Sequence, residues 1–355
     1  MPLIYYRKQA FTFDSFLQLK EKSAFVTQVK TIIEDWFEGR EKFSLFTSGS
    51  TGKPKEISFS RNQLEISAKQ TFDTFNLESG DSLLCCLSPE HTAGFMMIIR
   101  ALMYDCDLYL ATPSANPLID IELDSKIDFA AFVPYQMQLI LEASNINPDI
   151  LNRMKAIILG GGPVSDQLKS KVNKLDCSVY HTYGMTETLT HVAIKNLKSD
   201  DNKFHALKGV EFSQNDKNCL IVKSPIQPNE EIVTNDVVKL IDSTSFEWIS
   251  RFDFVINTGG FKIQINQLEN KMQEVIFDFF PQANYFISAI PDKDLGDKMI
   301  LIIETNEAVC QAEKLIIALK GRFKSYEIPK KVIFIQKFVF SSIGKIDRNN
   351  TLLKI

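Results

Sequence analysis

Paired cysteines, long apolar runs, an excess of positive charge and internal repeats are all missing from this chain, and each absence narrows what it can be. The six cysteines, Cys85, Cys86, Cys106, Cys177, Cys219 and Cys310, form no C-x-x-C pair and no disulfide-framework spacing. A disulfide-stapled scaffold is therefore excluded, and reduced thiols in a cytoplasmic protein are expected. No apolar stretch approaches the roughly 18 residues of a membrane span. The N-terminal MPLIYYRKQAFTFDSF lacks the basic start and apolar run of a signal peptide, so no membrane insertion is expected. A net charge of −4 gives no general attraction to nucleic acid or to an anionic surface. Nucleic acid is not an expected partner, and any anionic ligand must be held by a local site.

What is present is an ordinary globular composition, 45% hydrophobic and 24% charged over 355 residues, enough for one large domain and a smaller one. β-rich apolar runs alternate with helical patterns, which points to an α/β architecture. Strands are expected at 43–46, 83–87, 156–159 and 179–183, and an apolar helix at 96–104. Ser60 and Gln63 are spaced as a capping box, and Leu64, Ala68, Phe72 and Phe75 then recur on one helical face. Ligands of open α/β sheets sit beyond the carboxyl ends of strands. Three polar or glycine-rich loops, beginning at Thr47, Gly160 and Gly184, are expected at such ends. Composition changes near residues 250–262, after which Asn266 and Glu269 are placed to cap a new helix. Strands at 284–290, 299–304 and 331–336 around a helix near 310–323 complete a module of about 100 residues.

The densest signal is Thr47-Ser-Gly-Ser-Thr-Gly-Lys-Pro-Lys55, whose hydroxyls, glycines and lysines suit the wrapping of a polyphosphate. It is not a Walker A loop. That motif needs four residues between its glycines and a serine or threonine after the lysine, whereas Gly49 and Gly52 are two residues closer and Pro54 follows Lys53.

Four further segments follow in order: Tyr183-Gly-Met-Thr-Glu187, Asp236 in Thr234-Asn-Asp-Val237, Arg251-Phe-Asp-Phe-Val-Ile-Asn-Thr-Gly-Gly-Phe-Lys-Ile263, and Gly344-Lys-Ile-Asp-Arg348. With the loop at 47–55, this series resembles the adenylate-forming superfamily of acyl-CoA synthetases, firefly-type luciferases and peptide-synthetase adenylation domains, over roughly residues 40 to 355. The resemblance implies an α/β fold: a large N-terminal domain (1–252) with mixed sheets and flanking helices, and a small mobile α/β lid domain (253–355). It implies ATP, Mg²⁺ and coenzyme A as cofactor and co-substrates, with a small-molecule carboxylic acid as the partner. Residues Thr47, Ser48, Gly49, Ser50, Thr51, Gly52 and Lys53 would hold the β- and γ-phosphates. Thr186 would contact the α-phosphate and Glu187 would bind Mg²⁺. Gly160, Gly161, Gly162, Tyr183 and Gly184 would receive the adenine, and Asp236 and Arg251 the ribose hydroxyls. Asp253 occupies the hinge position, Gly259 and Gly260 would face the CoA pantetheine, and Lys345 would bridge the acid carboxylate and the α-phosphate. Two departures stand out: Asn235 replaces the glycine before the ribose Asp, and Ser250 the glycine before the Arg.

Pro89-Glu-His-Thr-Ala-Gly-Phe-Met-Met-Ile-Ile-Arg-Ala-Leu102, Pro113-Ser-Ala-Asn-Pro117 and Thr186-Glu-Thr-Leu-Thr-His-Val-Ala-Ile194 are similar to short o-succinylbenzoate–CoA ligases of menaquinone biosynthesis. Those enzymes activate an aromatic keto-diacid, which calls for a polar or cationic acyl pocket. His91, Thr182, Thr190 and His191 are the substrate candidates, and Arg100, alone in an apolar helix, is either an ion-pair partner or a substrate anchor. The early position of the phosphate loop implies a reduced N-terminal subdomain. Other acyl- or aryl-CoA synthetases, a carrier-loading adenylation enzyme and a non-catalytic adenylate-binding protein are the rival readings. The last is disfavoured because Glu187 and Lys345 are both kept. Oligomeric state is open, a homodimer included. Lys345→Ala is expected to lower adenylation, measured as pyrophosphate exchange, by orders of magnitude while ATP binding persists; an unchanged exchange rate removes Lys345 from the chemistry.

Overall fold

The computed structural model describes residues 2–46, 55–122, 124–143, 149–252, 254–281, 283–292, 296–305, 311–340 and 346–355. They form two compact units. The first comprises Met1–Ser213, Ile221–Ile232 and Leu240–Glu247, the second Gln214–Leu220, Val233–Lys239 and Trp248–Ile355.

The first unit is organised by strands apolar on both faces. Ser82–Cys85, Phe129–Phe132 and Ala156–Leu159 are buried at every position. Because side chains alternate across a strand, Leu83, Phe129, Ala131, Ala156 and Ile158 enter one core. Leu84, Ala130, Phe132, Ile157 and Leu159 enter a second. Such two-sided burial requires helices on both faces and favours parallel strands. The first core is covered by the helices Ala24–Phe37, Arg61–Phe75 and Thr92–Met103. The second is covered by Pro134–Glu142, Asp149–Asn152 and Asp166–Val172.

Parallel pairing runs Ile4–Tyr6, Asp107–Leu110, Ser82–Cys85, Phe129–Phe132, Ala156–Leu159, Ser178–Gly184 across the sheet. His191–Asn196 then pairs antiparallel with Ser178–Gly184. After Ser82–Cys85 the chain first adds a strand on one side and then, with Phe129–Phe132, on the other. That reversal is the topological switch at which open α/β sheets bind ligands. The segment leading to His91 leaves from one of the two strands involved. Gly160 leaves from the next strand along.

Local expectations hold in detail at the helix Arg61–Phe75, where Ser60 and Gln63 form the capping box and Leu64, Ala68, Phe72 and Phe75 are buried. Two others are corrected. Lys42–Phe46 is a strand, but it pairs antiparallel with Glu56–Ser60 in a two-stranded sheet of its own. The hydroxyl-rich segment is thus flanked by a hairpin and does not follow a strand of the large parallel sheet; residues 47–54 themselves lie outside the described residues. The second correction concerns Glu269, which does not cap its helix.

In the second unit, Phe261–Gln264, Val255–Thr258, Gly296–Glu304 and Tyr285–Asp292 lie side by side, with Lys331–Ile335 parallel to Gly296–Glu304. The helices Ile265–Phe279 and Ala312–Lys320 share one core with this sheet. The first helix begins at Ile265, one residue before the expected cap, and Gln264 at its N-cap makes no side-chain cap bond. Glu269 instead turns inward: it accepts from Ile287 N at 2.7 Å and pairs with Arg348 at 2.9 Å. Burial pushes the Glu269 carboxyl up, with Arg348 opposing. The Arg348 guanidinium also lies over the rings of Phe254 and Phe286, 5.0 and 5.4 Å from their centroids. This clasp holds the C-terminal helix Arg348–Leu352 to the module. Removing one partner of such a pair strands the other charge. Glu269→Gln is expected to lower stability by on the order of 2 kcal/mol in urea unfolding, and the double variant Glu269→Met, Arg348→Met by clearly less.

Candidate active site

Two of the three expected loops do leave the carboxyl ends of parallel strands. Ala156–Leu159 ends at Gly160, whose N–H donates to Phe132 O at 3.1 Å. A Cβ there would come within 2.8 Å of Thr182 Oγ1. Thr182 donates that hydroxyl to Leu159 O at 3.1 Å, so it is spent on tying the two strands together. His181 Nε2 meets Gly162 O at 3.1 Å. Burial, with Lys195 nearby, pushes the His181 imidazole down to about 4, so it is neutral at pH 7. His181 was not among the sequence candidates; a strand-interior histidine reads as packing until its partner is known.

The strand Ser178–Gly184 delivers the next loop. Tyr183 packs edge-on to Phe246, centroids 5.1 Å apart. At Gly184 a Cβ would lie 2.3 Å from Thr190 O, so only glycine lets the neighbouring strand approach this closely. Thr186–Thr188 is a 3₁₀ turn. Its geometry is pinned by Thr188, whose hydroxyl accepts from Met185 N at 2.9 Å and donates to Thr190 O at 2.7 Å. Leu189 follows with φ +62°, a left-handed conformation that a non-glycine residue adopts at a cost. Its side chain is fully buried, and packing holds it there. Thr186 and Glu187 therefore sit on a turn stabilised by the two residues that follow them.

That turn leads into a buried polar network. Arg100, 1% exposed in the helix Thr92–Met103, donates from Nη2 to Thr190 Oγ1 at 3.0 Å. Thr190 Oγ1 is 3.2 Å from His191 Nδ1. With its oxygen accepting from Arg100, the Thr190 hydroxyl hydrogen points to His191 Nδ1, which places the imidazole hydrogen on Nε2. Burial and the Arg100 charge push His191 down to about 3. Burial pushes Arg100 down to about 9, so it remains a cation at neutral pH. Among the described residues, Arg100 Nε and His191 Nε2 have no hydrogen-bond partner. His91 stands at the N-cap of the same helix without a side-chain cap bond. Burial lowers its pKa against the opposing effect of Glu90.

Asp236, Arg251, Gly259 and Gly260 belong to the second unit. Phe252 N donates to Asn235 O at 2.6 Å, which joins the residue after Arg251 to the residue before Asp236. The Asp236 Oδ1 accepts from Trp248 Nε1 at 3.1 Å, and Arg251 lies over the Phe254 ring. Gly259 and Gly260, with φ +55° and +81°, form the two-residue turn between Val255–Thr258 and Phe261–Gln264. A turn with both central residues at positive φ accounts for the glycine pair. Thr47, Ser48, Gly49, Ser50, Thr51, Gly52, Lys53, Asp253 and Lys345 lie outside the described residues. Among those described, no three carboxylate, imidazole or thiol groups cluster as a metal site, and no helix is long and apolar enough to cross a membrane.

Comparison with known proteins follows the same lines. The model of a family described as AMP-binding enzyme matches residues 40–212. A solved acyl-CoA synthetase (AMP-forming)/AMP-acid ligase II-like protein from Dyadobacter fermentans is 33% identical; the match covers 97% of this chain and 98% of that one, with a TM-score of 0.63. The chain belongs to the AMP-forming acyl-CoA synthetase family of AMP-binding enzymes. Membership makes it an enzyme of the acid–thiol ligase class. A 2-succinylbenzoate–CoA ligase from Listeria monocytogenes is 25% identical over 340 residues, covering 90% of this chain and 71% of the relative. The O-succinylbenzoate coenzyme A synthetase of Bacillus subtilis, solved with ATP and magnesium, shares the fold with a TM-score of 0.74 at 21% identity, over 87% of this chain and 69% of that one.

The buried histidine makes acid stability a test of this geometry. Unfolded His191 takes a proton at about the ordinary imidazole value of 6.5, whereas in the fold it resists to about 3. The unfolded state binds more protons between these limits, so stability falls as pH falls across that window. His191→Gln is expected to flatten the loss by up to about 1.4 kcal/mol per pH unit, read from urea midpoints between pH 6.5 and 4; an unchanged slope contradicts the buried neutral imidazole.

Proposed function

We propose that the chain is a 2-succinylbenzoate–CoA ligase dependent on ATP and Mg²⁺, acting in menaquinone biosynthesis. The observation that carries this reading is the Arg100–Thr190–His191 network. Holding an arginine this deeply without a carboxylate costs several kcal/mol; among the described residues Arg100 has no carboxylate partner, and two of the network's buried nitrogens lack an acceptor. A substrate with a second carboxylate, one that is not activated, supplies the missing anion. A fatty acid or a simple benzoate has nothing to offer it. The 2-succinylbenzoate–CoA ligases among the relatives support the same substrate class.

In the proposed reaction the succinyl carboxylate attacks the α-phosphorus of ATP, the bond to the bridging oxygen breaks, and pyrophosphate leaves with its electron pair. The thiol of CoA, losing its proton, then attacks the acyl carbon and AMP departs. Thr47, Ser48, Gly49, Ser50, Thr51, Gly52 and Lys53 hold the pyrophosphate portion, and Thr186 donates to the α-phosphate. Lys345 neutralises two anions that must approach each other. Gly160, Gly161, Gly162, Tyr183 and Gly184 border the adenine, and Asp236 and Arg251 take the ribose hydroxyls. Asp253 is the hinge, and the Gly259–Gly260 turn faces CoA. Glu187, a half-buried carboxylate on a pinned turn, suits Mg²⁺, which is usually held by one or two carboxylates together with substrate phosphates. When bound, the ion neutralises charge on the departing phosphates.

Arg100→Leu is expected to raise the KM for 2-succinylbenzoate about 100-fold, as loss of a buried charge-assisted pair worth about 3 kcal/mol would, with the KM for ATP little changed. Because the substitution removes a costly buried charge, its melting temperature is expected to hold, and Arg100→Lys to recover part of the loss. Mass spectrometry of thioester products from a panel of acids decides the substrate. Good turnover of benzoate or fatty acids with none of 2-succinylbenzoate overturns the assignment.

A further inference from the structure

Trp248 is one of two tryptophans in the chain. Half-buried on the strand Ser245–Arg251, it would pack as well as a phenylalanine or tyrosine. What it adds is a donor. Its indole N–H reaches Asp236 Oδ1 at 3.1 Å, and the Asp236 residue is only 7% exposed. We infer that Trp248 is a positioning residue for nucleotide binding: it holds the Asp236 carboxylate in the rotamer that accepts the ribose hydroxyls. The inference rests on the ribose role proposed above for Asp236.

Three features support it. An aspartate in a strand has several staggered orientations, and a bond from the planar indole favours one of them. An indole can only donate, so it holds the ionised carboxylate without competing as an acceptor for the ribose hydroxyls. The backbone is fixed at the same place. Asp236 N donates to Thr234 Oγ1 at 3.0 Å, and Phe252 N donates to Asn235 O. With the main chain held from two sides, the bond from Trp248 restrains the side-chain torsion as well. The position also suits the two departures from the family pattern: the backbone around Asp236 carries Asn235 and the strand before Arg251 carries Ser250, where glycines are usual.

The test compares ATP with 2′,3′-dideoxy-ATP, which lacks both hydroxyls, in the full-length protein carrying Trp248→Phe. An aromatic ring is kept and the N–H is lost; Trp248→Tyr, of similar shape to phenylalanine, controls for the smaller ring. Pyrophosphate exchange is expected to show the KM for ATP raised about tenfold with kcat within twofold, while the KM for the dideoxy nucleotide stays within twofold of the unmodified protein. Trp36, buried in the first unit, remains as the sole tryptophan of the variant, and excitation at its red edge reads it apart from the tyrosines. An ATP-dependent emission change is therefore expected in the unmodified protein and not in the variant. Equal losses for the two nucleotides, or no loss for either, overturns the positioning role. An unmodified protein that does not distinguish ATP from its dideoxy form overturns the ribose role of Asp236 itself, a separate outcome visible before any substitution is made.

Discussion

Burial of the parallel sheet on both faces is the constraint from which the rest follows. Strands such as Phe129–Phe132 and Ala156–Leu159 are enclosed by helices on either side, and polar chemistry cannot sit on them without losing hydration. It is displaced to the ends of the strands. Gly160, Gly184 and the turn carrying Thr186 and Glu187 all occur just where a strand leaves the core. The switch in strand order beside Ser82–Cys85 adds the His91 segment to the same end of the sheet. Fine geometry then depends on small devices: a missing Cβ at Gly184, a strained Leu189, and a Thr188 hydroxyl bonded in both directions.

Arg100 is the exception to the rule that charge stays at the edges. Its neighbours in the helix from Gly94 to Leu102 are apolar and buried, and Thr190 is a neutral partner. Burying a guanidinium this way is unfavourable for folding alone. A structural role would be better served by a carboxylate across the interface or by a leucine. A site that must recognise an anion bears such a cost in the free protein and recovers it on binding, because the paired donor and acceptor are then shielded from water.

Much of this was legible in the residues. The buried strand expected at 83–87, which the fold sets at Ser82–Cys85, the Ser60–Gln63 cap and the apolar face of the following helix depend on local pattern, and they are found. The ordered motifs from Thr47 to Lys345 identify the family without any geometry. What failed depended on partners distant in sequence. Lys42–Phe46 has the apolar pattern of a strand, but pattern does not name the neighbour, which proved to be Glu56–Ser60. Glu269 has capping spacing, yet Arg348, 79 residues away, offers it a stronger bond. Trp248 gave no signal in the sequence, because an indole donor has meaning only once Asp236 is beside it.

The central claim is that a buried cation selects a diacid. The most direct measurement is kcat/KM of the unmodified protein for 2-succinylbenzoate against 4-oxo-4-phenylbutanoate, which keeps the reacting carboxylate and lacks the one on the ring. The account predicts a preference for the diacid of about 100-fold or more, the factor expected when a buried charge-assisted pair is left half-made. Equal values for the two acids would contradict it.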